Sequence, residues 1–399
     1  MTRTRVLYFC PDMYLGPVMS VYGQIIRGLD PSRFESYAAI NGAATGALPF
    51  GPSDAIVTRW RLGSGLRSGG VTARAASSLF LMSAMLRLAR YARREQIDIV
   101  QCECTAYAGT LGLVLARMAR LPVLMHVHHL VGRHAGGAGA YGFPRRQLGP
   151  RLVRQADEIV SVSHFIAEQA RQVAAPSRAI PVVENGVSLE RFHPGISGTQ
   201  IRREYGVDDD DILVLQLGRI FESKRQEDFI AAFDDARATL PALRGLVVGA
   251  EDPCYAGYKS RLTRMCEEHE LGERFLIADA RPAAPELIAA ADIVVAPSLD
   301  EAWGLVVAEA MAAGKPVIAA RSGATPEVMV DGVTGFLVPP RSPAALAEKL
   351  VLLGRDADLR RAMGAAGRRH AQQELAESRV AEKFEPIYER LASRSSSRR

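Results

Sequence analysis

The chain has 399 residues, of which 48% are hydrophobic and 23% are charged, and its formal net charge is +5. This length exceeds what one hydrophobic core usually serves, so two domains are expected. No run of about 18 apolar residues occurs, which argues against a membrane-spanning helix, and five scattered cysteines argue against a disulfide framework and for a cytoplasmic protein.

The positive charge is concentrated in the first half of the chain. Residues 1–190 hold 21 basic and 12 acidic side chains, whereas the remainder holds 28 basic and 32 acidic ones. Within it, Arg59–Arg94 contains eight arginines and no acid. Such a field would attract an anionic acceptor or the anionic inner face of a membrane. A solvated arginine-rich surface, with a helix that packs on its own sheet, explains the same pattern.

Short apolar runs alternate with longer helical patterns, which is typical of βαβ units and a parallel sheet. In the first half the helical patterns include Val18–Leu29 and Ser77–Arg94. Five strands are predicted there: Arg5–Phe9, Ser36–Ile40, Ile97–Gln101, Pro122–Val127 and Glu158–Val162.

The second half repeats this rhythm and then becomes mostly helical from about Pro343. Its predicted strands are Ile212–Leu217, Gly245–Val248, Phe275–Ile277, Ile293–Ala296 and Pro316–Ala320. Its predicted helices are Arg225–Ala238, Cys254–His269, Ala284–Ala290 and Val306–Ala313.

A segment rich in Gly, Pro and Ser joins the two halves at about Val187–Gly198. We therefore predict an N-terminal Rossmann-like, acceptor-binding domain over 1–190 and a C-terminal Rossmann-like, donor-binding domain over 191–390. Packing of the final helix back on the first domain is left open, and a disordered tail is predicted over 391–399. Two facing doubly wound α/β sheets of this kind create a cleft, and their ligands bind at the carboxyl ends of the strands.

Two cations occupy the predicted turn between a strand and a helix in the second half. Gly218 and Arg219 follow the apolar strand, and Lys224 comes just before the helix. Arginine offers a rigid fork to phosphate oxygens and lysine a mobile point charge, so the turn suits a diphosphate. A surface loop with two solvated cations is the simpler alternative.

A second turn carries a pair of acids. Glu301 lies in the turn that follows DIVVAPS, and Glu309 lies inside the helix that begins after Gly304. Gly304 allows close backbone approach to a ligand, and the amides of the first helical turn point into the same space. One acid then reaches a sugar and the other a ribose. A helix-start acid and a surface acid would give the same spacing.

The ordered set of motifs resembles the family 4 glycosyltransferases of the GT-B fold, and the likeness covers nearly the whole chain. It comprises Asn185-Gly186-Val187, Gly218-Arg219 with Lys224, Pro285-Glu286-Leu287, Pro297-Ser298, the pair Glu301 and Glu309, Pro316-Val317-Ile318, Glu327 and Asp331-Gly332.

This resemblance implies a retaining transferase that moves a hexose-like sugar from a nucleotide-sugar donor to a hydroxyl acceptor, with no metal, separate cofactor or nucleic-acid partner. It implies that Arg219 and Lys224 bind the diphosphate, that Glu309 binds the ribose and that Glu301 contacts the transferred sugar. The remaining donor-binding positions are Gly218, Trp303, Gly304, Leu305 and Val306.

In the first half, the family's catalytic histidine falls on His128, within a histidine cluster that follows a strand. His126 shares a strand face with it and is expected only to support it. The resemblance also places Gly16 against the donor phosphates. Relatives usually carry two adjacent glycines there, and Pro17 in this chain removes one backbone donor.

Other site chemistries fit the sequence less well. The Asp-x-Asp pattern within Asp208–Asp211 precedes a strand, at the wrong end of the sheet for a metal site. A sugar-nucleotide epimerase of similar architecture remains an alternative, and so does a non-catalytic protein that binds nucleotide sugars.

Overall fold

The computed structural model describes residues 3–11, 17–42, 44, 48–62, 71–105, 107–129, 153–174 and 178–396. The chain divides into two compact units, and the boundaries fall between Gly186 and Val187 and between Ala376 and Glu377. Among the described residues, the first unit consists of those up to Gly186 together with those from Glu377 onward. The sequence analysis set the division at 190/191 and left the attachment of the final helix open.

The first unit is a six-stranded parallel sheet with helices between its strands. Its strands are β1 (Thr4–Cys10), β2 (Phe34–Asn41), β3 (Ile56–Trp60), β4 (Ile99–Glu103), β5 (Val123–Val127) and β6 (Glu158–Ser161). Its helices are α1 (Pro17–Gly28), α2 (Val71–Arg94), α3 (Ala108–Ala119), α4 (His164–Ala174) and α13 (Ser378–Ser396), the last in the chain. The strand order is β3-β2-β1-β4-β5-β6, the doubly wound order of a Rossmann sheet.

The second unit repeats this topology. Its strands are β7 (Ile212–Leu217), β8 (Leu243–Val248), β9 (Phe275–Ala278), β10 (Ile293–Ala296), β11 (Val317–Ala320) and β12 (Gly335–Val338). Its helices are α5 (Thr199–Glu204), α6 (Gln226–Arg237), α7 (Tyr258–Glu268), α8 (Ala284–Ala290), α9 (Leu305–Ala312), α10 (Thr325–Val328), α11 (Pro343–Arg355) and α12 (Ala357–Glu374). The order β12-β11-β10-β7-β8-β9 reverses direction between β7 and β10.

The prediction of two Rossmann-like halves is confirmed, and the sequence analysis missed one strand in each sheet. β3 is an edge strand whose five residues are all exposed or half-buried, so the run IVTRW lacks the apolar character of the inner strands. β12 has only four residues and follows a turn at Gly332. Low burial weakens the signal of β3, whereas β12 is mostly buried and gives a weak signal because its apolar run is so short.

The last helix belongs to the first unit. Phe384, Tyr388 and Leu391 of α13 are fully buried in the core that also holds Val6 and Ile25. The Tyr388 hydroxyl donates to Gln101 Oε1 at 2.5 Å and lies 3.2 Å from the Tyr8 hydroxyl. The disordered tail predicted from residue 391 is therefore helical to Ser396, because its first residues complete this core.

The start of one helix also differs from the prediction. The helix predicted at Cys254–His269 begins at Tyr258, after a 3₁₀ turn over Pro253–Tyr255 in which the Asp252 side chain accepts from the Cys254 N–H. None of the helices in the described ranges is both long enough and apolar enough to cross a bilayer.

Candidate functional site

The turn after β7 is held by close backbone packing. Gly218 has a φ of +146°, and a Cβ on Gly249 would lie 1.8 Å from the Gly218 carbonyl oxygen, so the two loops touch. The Ile220 N–H donates to the Ala250 carbonyl at 2.8 Å, and the Asp252 N–H donates back to Ile220 at 3.1 Å. The turns after β7 and β8 thus form one rigid platform at the carboxyl edge of the sheet.

The two predicted cations leave this platform in different environments. The Arg219 guanidinium donates to Asp252 Oδ2 at 2.7 Å and stacks 4.8 Å from the Phe221 ring centre, yet its side chain is 62% exposed. The Lys224 ammonium forms an ion pair with the Glu301 carboxylate, and both of these side chains are mostly buried. Arg219 is therefore accessible to an anion from solvent, whereas Lys224 is already committed to an internal partner.

Glu301 remains ionised despite its burial. Desolvation opposes the charge, but the Lys224 charge and hydrogen bonds from Lys224 and Ser298, with a further contribution from Arg219, together lower the pKa of this carboxyl below 4.5. This electrostatic coupling links the turn after β7 to the turn after β10. Arg219, Lys224 and Glu301 consequently share one patch of the surface.

The turn after β10 ends at a glycine that starts α9. Gly304 has a φ of +93°, a left-handed conformation that glycine adopts without strain, and its carbonyl accepts from the N–H groups of Val307 and Ala308. Leu305 and Val306 form the first turn of α9, where helix geometry leaves the N–H groups without intrahelical acceptors. Trp303 is 3% exposed and anchors the turn in the core.

The pKa of Glu309 is shifted in the opposite direction from that of Glu301. It is half-buried on α9 among apolar neighbours, and burial raises the pKa of its carboxyl to about 7, although the charge of Arg191 acts in the opposite direction. Within 178–396, which the structure describes without a gap, Glu309 and Arg219 share neither a hydrogen bond nor an ion pair. The predicted role of Glu309 stays a prediction.

The first unit places His128 immediately after β5. Its ring lies 4.0 Å from the ring of His126 and 6.4 Å from that of Tyr22, measured between ring centres. Burial, reinforced by the neighbouring His126 and His129, lowers the pKa of His128 well below 6.5, and burial lowers the pKa of His126 to about 3. Both imidazoles are therefore neutral at neutral pH.

Polar atoms around this histidine pair are buried without partners in the described part of the chain. They are the Tyr22 hydroxyl, Gln101 Nε2, both ring nitrogens of His126 and Nε2 of His128. His129 differs, since it is exposed and its Nε2 lies 3.0 Å from Glu103 Oε1. The predicted site residue Gly16 falls outside the described residues.

Sequence reasoning missed several side chains that shape these sites. Gln216 is a buried polar residue next to the turn after β7, and Asp252 pairs with Arg219. A glutamine within the apolar run ILVLQL was the available signal for Gln216. Nothing in the pattern indicated Arg191, whose proximity to Glu309 arises only from the tertiary fold.

No group of three or more His, Cys, Asp or Glu side chains in the described ranges is arranged to hold a metal ion. Asp208–Asp211, considered above for a metal, forms a turn. There Asp211 accepts from the Asp208 N–H at 2.9 Å and from Arg244 Nε at 3.0 Å.

Two family profiles match the chain. The profile of the glycosyl transferases group 1 matches residues 198–370, and that of glycosyltransferase family 4 matches residues 64–191. Together they take in about three quarters of the chain and divide close to the boundary between the two units.

Two curated proteins are similar to part of this chain. The N-acetyl-alpha-D-glucosaminyl L-malate synthase of Bacillus anthracis is 27% identical over 59% of this chain and 60% of the relative. A D-inositol 3-phosphate glycosyltransferase of Geodermatophilus obscurus is 36% identical over 62% of this chain and 57% of the relative. The chain thus aligns with less than two thirds of the length of either protein.

A solved structure gives the fold. The crystal structure of Anabaena HepE in complex with UDP and glucose matches 98% of this chain and 100% of that one, with a TM-score of 0.80 and 20% identity. The predicted GT-B fold class is thereby confirmed.

Proposed function

Since this chain belongs to the family 4 glycosyltransferases, we propose that it transfers a hexose-like sugar from a nucleotide-sugar donor to a hydroxyl acceptor. We propose further that the anomeric configuration is retained and that no metal takes part. One observation carries the proposal. Arg219, Lys224 and Glu301 share an electrostatic patch where β7 and β10 diverge, at their carboxyl ends. Doubly wound sheets bind their ligands at that position.

In this proposal the cations serve the leaving group. Negative charge accumulates on the diphosphate as the glycosidic bond stretches, and the guanidinium of Arg219 is exposed enough to reach it. Lys224 contributes its charge from the neighbouring side while Glu301 holds its ammonium in place. The backbone N–H groups of Leu305 and Val306 add dipoles from the start of α9, and Gly218 and Gly304 leave room for the ligand.

The two acids bind hydroxyl groups. Glu301 is ionised in the free protein and accepts hydrogen bonds from the transferred sugar. Glu309 is half-protonated near pH 7, and hydroxyl donors of a ribose favour its ionised form. The acceptor hydroxyl attacks on the face that the diphosphate leaves, and a donor phosphate oxygen takes its proton. The protein therefore needs no nucleophile of its own.

His128 is assigned to the transferred sugar. A neutral imidazole at the end of β5 donates or accepts one hydrogen bond without bringing a charge into a buried place.

The names of the curated relatives indicate hydroxyl acceptors of small size, a malate and an inositol phosphate. We include small molecules, glycans and lipid-linked sugars in the proposed acceptor class.

Peripheral contact with an anionic membrane is a further part of the proposal. Phe80, Met82 and Leu86 are exposed on α2, while Met85 and Leu88 of the same helix are buried. The arginines Arg87, Arg90, Arg93 and Arg94 lie on the same helix. Apolar side chains interleaved with cations suit the interface of an anionic bilayer. Co-sedimentation with phosphatidylglycerol vesicles tests this, and Phe80→Ser with Met82→Ser should abolish it.

The experiment for the transfer reaction has two stages. Thermal unfolding with UDP, GDP, ADP and TDP sugars identifies the donor, because a ligand that binds the folded state raises the melting temperature. Transfer to candidate acceptors, with and without EDTA, then gives a product whose anomeric coupling is read by NMR. An inverted product, loss of transfer with EDTA, or epimerisation of the donor alone would each replace the proposal.

A further inference from the structure

Lys224 is anchored through every polar group it carries. Its N–H donates to the Phe221 carbonyl at 2.9 Å, and its carbonyl accepts from Gln216 Nε2 at 2.7 Å. Its ammonium is paired with Glu301. The preceding carbonyl, that of Ser223, accepts from the Leu299 N–H at 2.7 Å, which ties the turn after β7 to the turn after β10. The fold therefore fixes the direction in which this side chain leaves the backbone.

The residue after Lys224 has an unusual backbone. Arg225 has a φ of +55° and ψ of +43°, in the left-handed region, where it ends the 3₁₀ turn and starts α6. A residue with a Cβ is disfavoured there, and glycine is the residue that adopts this conformation readily. A strained non-glycine residue beside a proposed ligand group needs a compensating interaction.

The Arg225 side chain supplies that interaction. Its guanidinium donates to both carboxylate oxygens of Asp228, at 2.9 and 2.6 Å, and to Glu227 Oε1 at 2.6 Å. The side chain is only 17% exposed, and Asp228 is 5% exposed, so the fork is largely shielded from water. The Tyr258 hydroxyl binds the other oxygen of Glu227, which fixes the acid in turn. A shielded bidentate pair of this kind is strong and geometrically specific.

We propose that Arg225 is a positioning residue for Lys224. Its bidentate clamp holds the left-handed peptide at the start of α6, and through that peptide it holds Lys224 in the geometry that meets the donor diphosphate. The inference rests on the proposed function, because it assigns Lys224 to the nucleotide. Arg225 itself has no direct contact with the ligand in this scheme.

Arg225→Gly removes the side-chain clamp and leaves no strain in the left-handed backbone. Glycine accepts the left-handed conformation, so the fold persists, whereas the clamp on Lys224 is lost. We expect the Kd for UDP, or for the nucleoside diphosphate that the thermal screen selects, to rise about tenfold by calorimetry. Asp228→Asn should weaken binding in the same direction. Arg237→Ala is the matched control, because Arg237 makes the corresponding ion pair with Asp234 at the other end of α6, and it should leave the Kd within twofold.

A double-mutant cycle tests whether Arg225 acts through Lys224. If it does, Arg225→Gly added to Lys224→Ala changes the Kd by less than twofold, because residues of one network are not additive. Wild-type affinity in folded Arg225→Gly, or full additivity in the cycle, would overturn the inference. If the wild-type chain binds no nucleoside diphosphate, the proposed function is wrong, and the positioning role of Arg225 is tested by amide hydrogen exchange instead. The exchange rate over residues 219–226 must then rise in Arg225→Gly and stay unchanged in Arg237→Ala.

Discussion

The Lys224 ammonium and the Glu301 carboxylate, 77 residues apart in sequence, form an ion pair between the turns that follow β7 and β10. Each turn is at the carboxyl end of its strand, and the two strands are neighbours in the sheet. The pair is mostly buried, so removing either partner leaves the other as an uncompensated charge. It therefore couples the cation proposed for the diphosphate to the acid proposed for the sugar.

Lys224→Ala should reduce transfer by at least 100-fold, since it removes a diphosphate cation and frees Glu301 from its partner. The loss of the ammonium should also raise the pKa of Glu301, because burial of this carboxyl then acts without its main opposing charge. Initial rates of transfer at saturating acceptor measure the first effect.

Lys383→Ala is the control for that substitution. Lys383 also forms a long-range ion pair, with Glu184 at 2.5 Å, but on the surface of the first unit. An exposed pair of this kind contributes about 1 kcal/mol or less, so transfer should be nearly normal. Equal losses in the two variants would show that any long-range ion pair has the same effect.

Arg219→Ala should separate activity from stability. The side chain is 62% exposed and its partner Asp252 lies at the surface platform, so the free energy of unfolding should change by less than about 1 kcal/mol. Transfer should nevertheless fall about 100-fold or more, because the guanidinium is proposed to stabilise the departing diphosphate. Urea unfolding and donor kinetics on the same sample measure both.

The matched control is Arg261→Ala. Arg261 is 56% exposed and stacks 4.9 Å from the Tyr258 ring centre, much as Arg219 stacks on Phe221. Normal transfer in this variant is expected. A comparable loss would mean that stacked surface arginines matter generally in this unit, and the assignment of Arg219 to the diphosphate would be lost.

The sequence was sufficient for the parallel architecture and for the position of the candidate residues at strand ends. Apolar strands followed by turns with Arg219, Lys224 and Glu301 placed these residues at strand ends, and a doubly wound sheet brings such ends to one edge. The sequence could not provide what depends on tertiary packing. Arg225 is an example, because its positive φ is a conformation that sequence patterns predict for glycine and not for arginine. Another is Tyr388, whose partners Tyr8 and Gln101 are hundreds of residues away.

The histidine pair predicts an acid-sensitive first unit. The pKa of His126 is about 3 and that of His128 is well below 6.5. Below pH 6.5, the unfolded chain therefore binds more protons at these two histidines than the folded chain does. The free energy of unfolding should therefore fall as the pH drops below 6.5. In His126→Gln, the loss of unfolding free energy between pH 6.5 and 5 should be smaller by about 2 kcal/mol.

Urea unfolding as a function of pH measures this slope, and ¹⁵N spectra of the imidazoles report the protonation directly. Both rings should stay neutral down to pH 5, and the rate of transfer should show no limb from His128 between pH 6 and 8. Protonation of His126 near pH 6.5 would contradict the argument.

Glu309 predicts the opposite slope in the second unit. Its pKa of about 7 in the folded protein lies above the 4.5 of an ordinary glutamate. Between these values the folded state keeps a proton that the unfolded state releases, so the free energy of unfolding falls as the pH rises from about 4.5 to 7. Glu309→Gln removes this cost. The ligand-free protein should gain on the order of 1–3 kcal/mol at pH 8, as measured by urea unfolding.

The same substitution should weaken donor binding, because a neutral amide accepts ribose hydroxyls less strongly than a carboxylate. A gain in stability together with a loss of affinity is expected for a side chain kept for its ligand rather than for the fold. Glu348→Gln, at an acid whose side chain is 71% exposed, should change neither quantity measurably. If Glu309→Gln instead destabilised the ligand-free protein at pH 8, Glu309 would be a structural acid, with Arg191 as its partner, and the ribose assignment would be wrong.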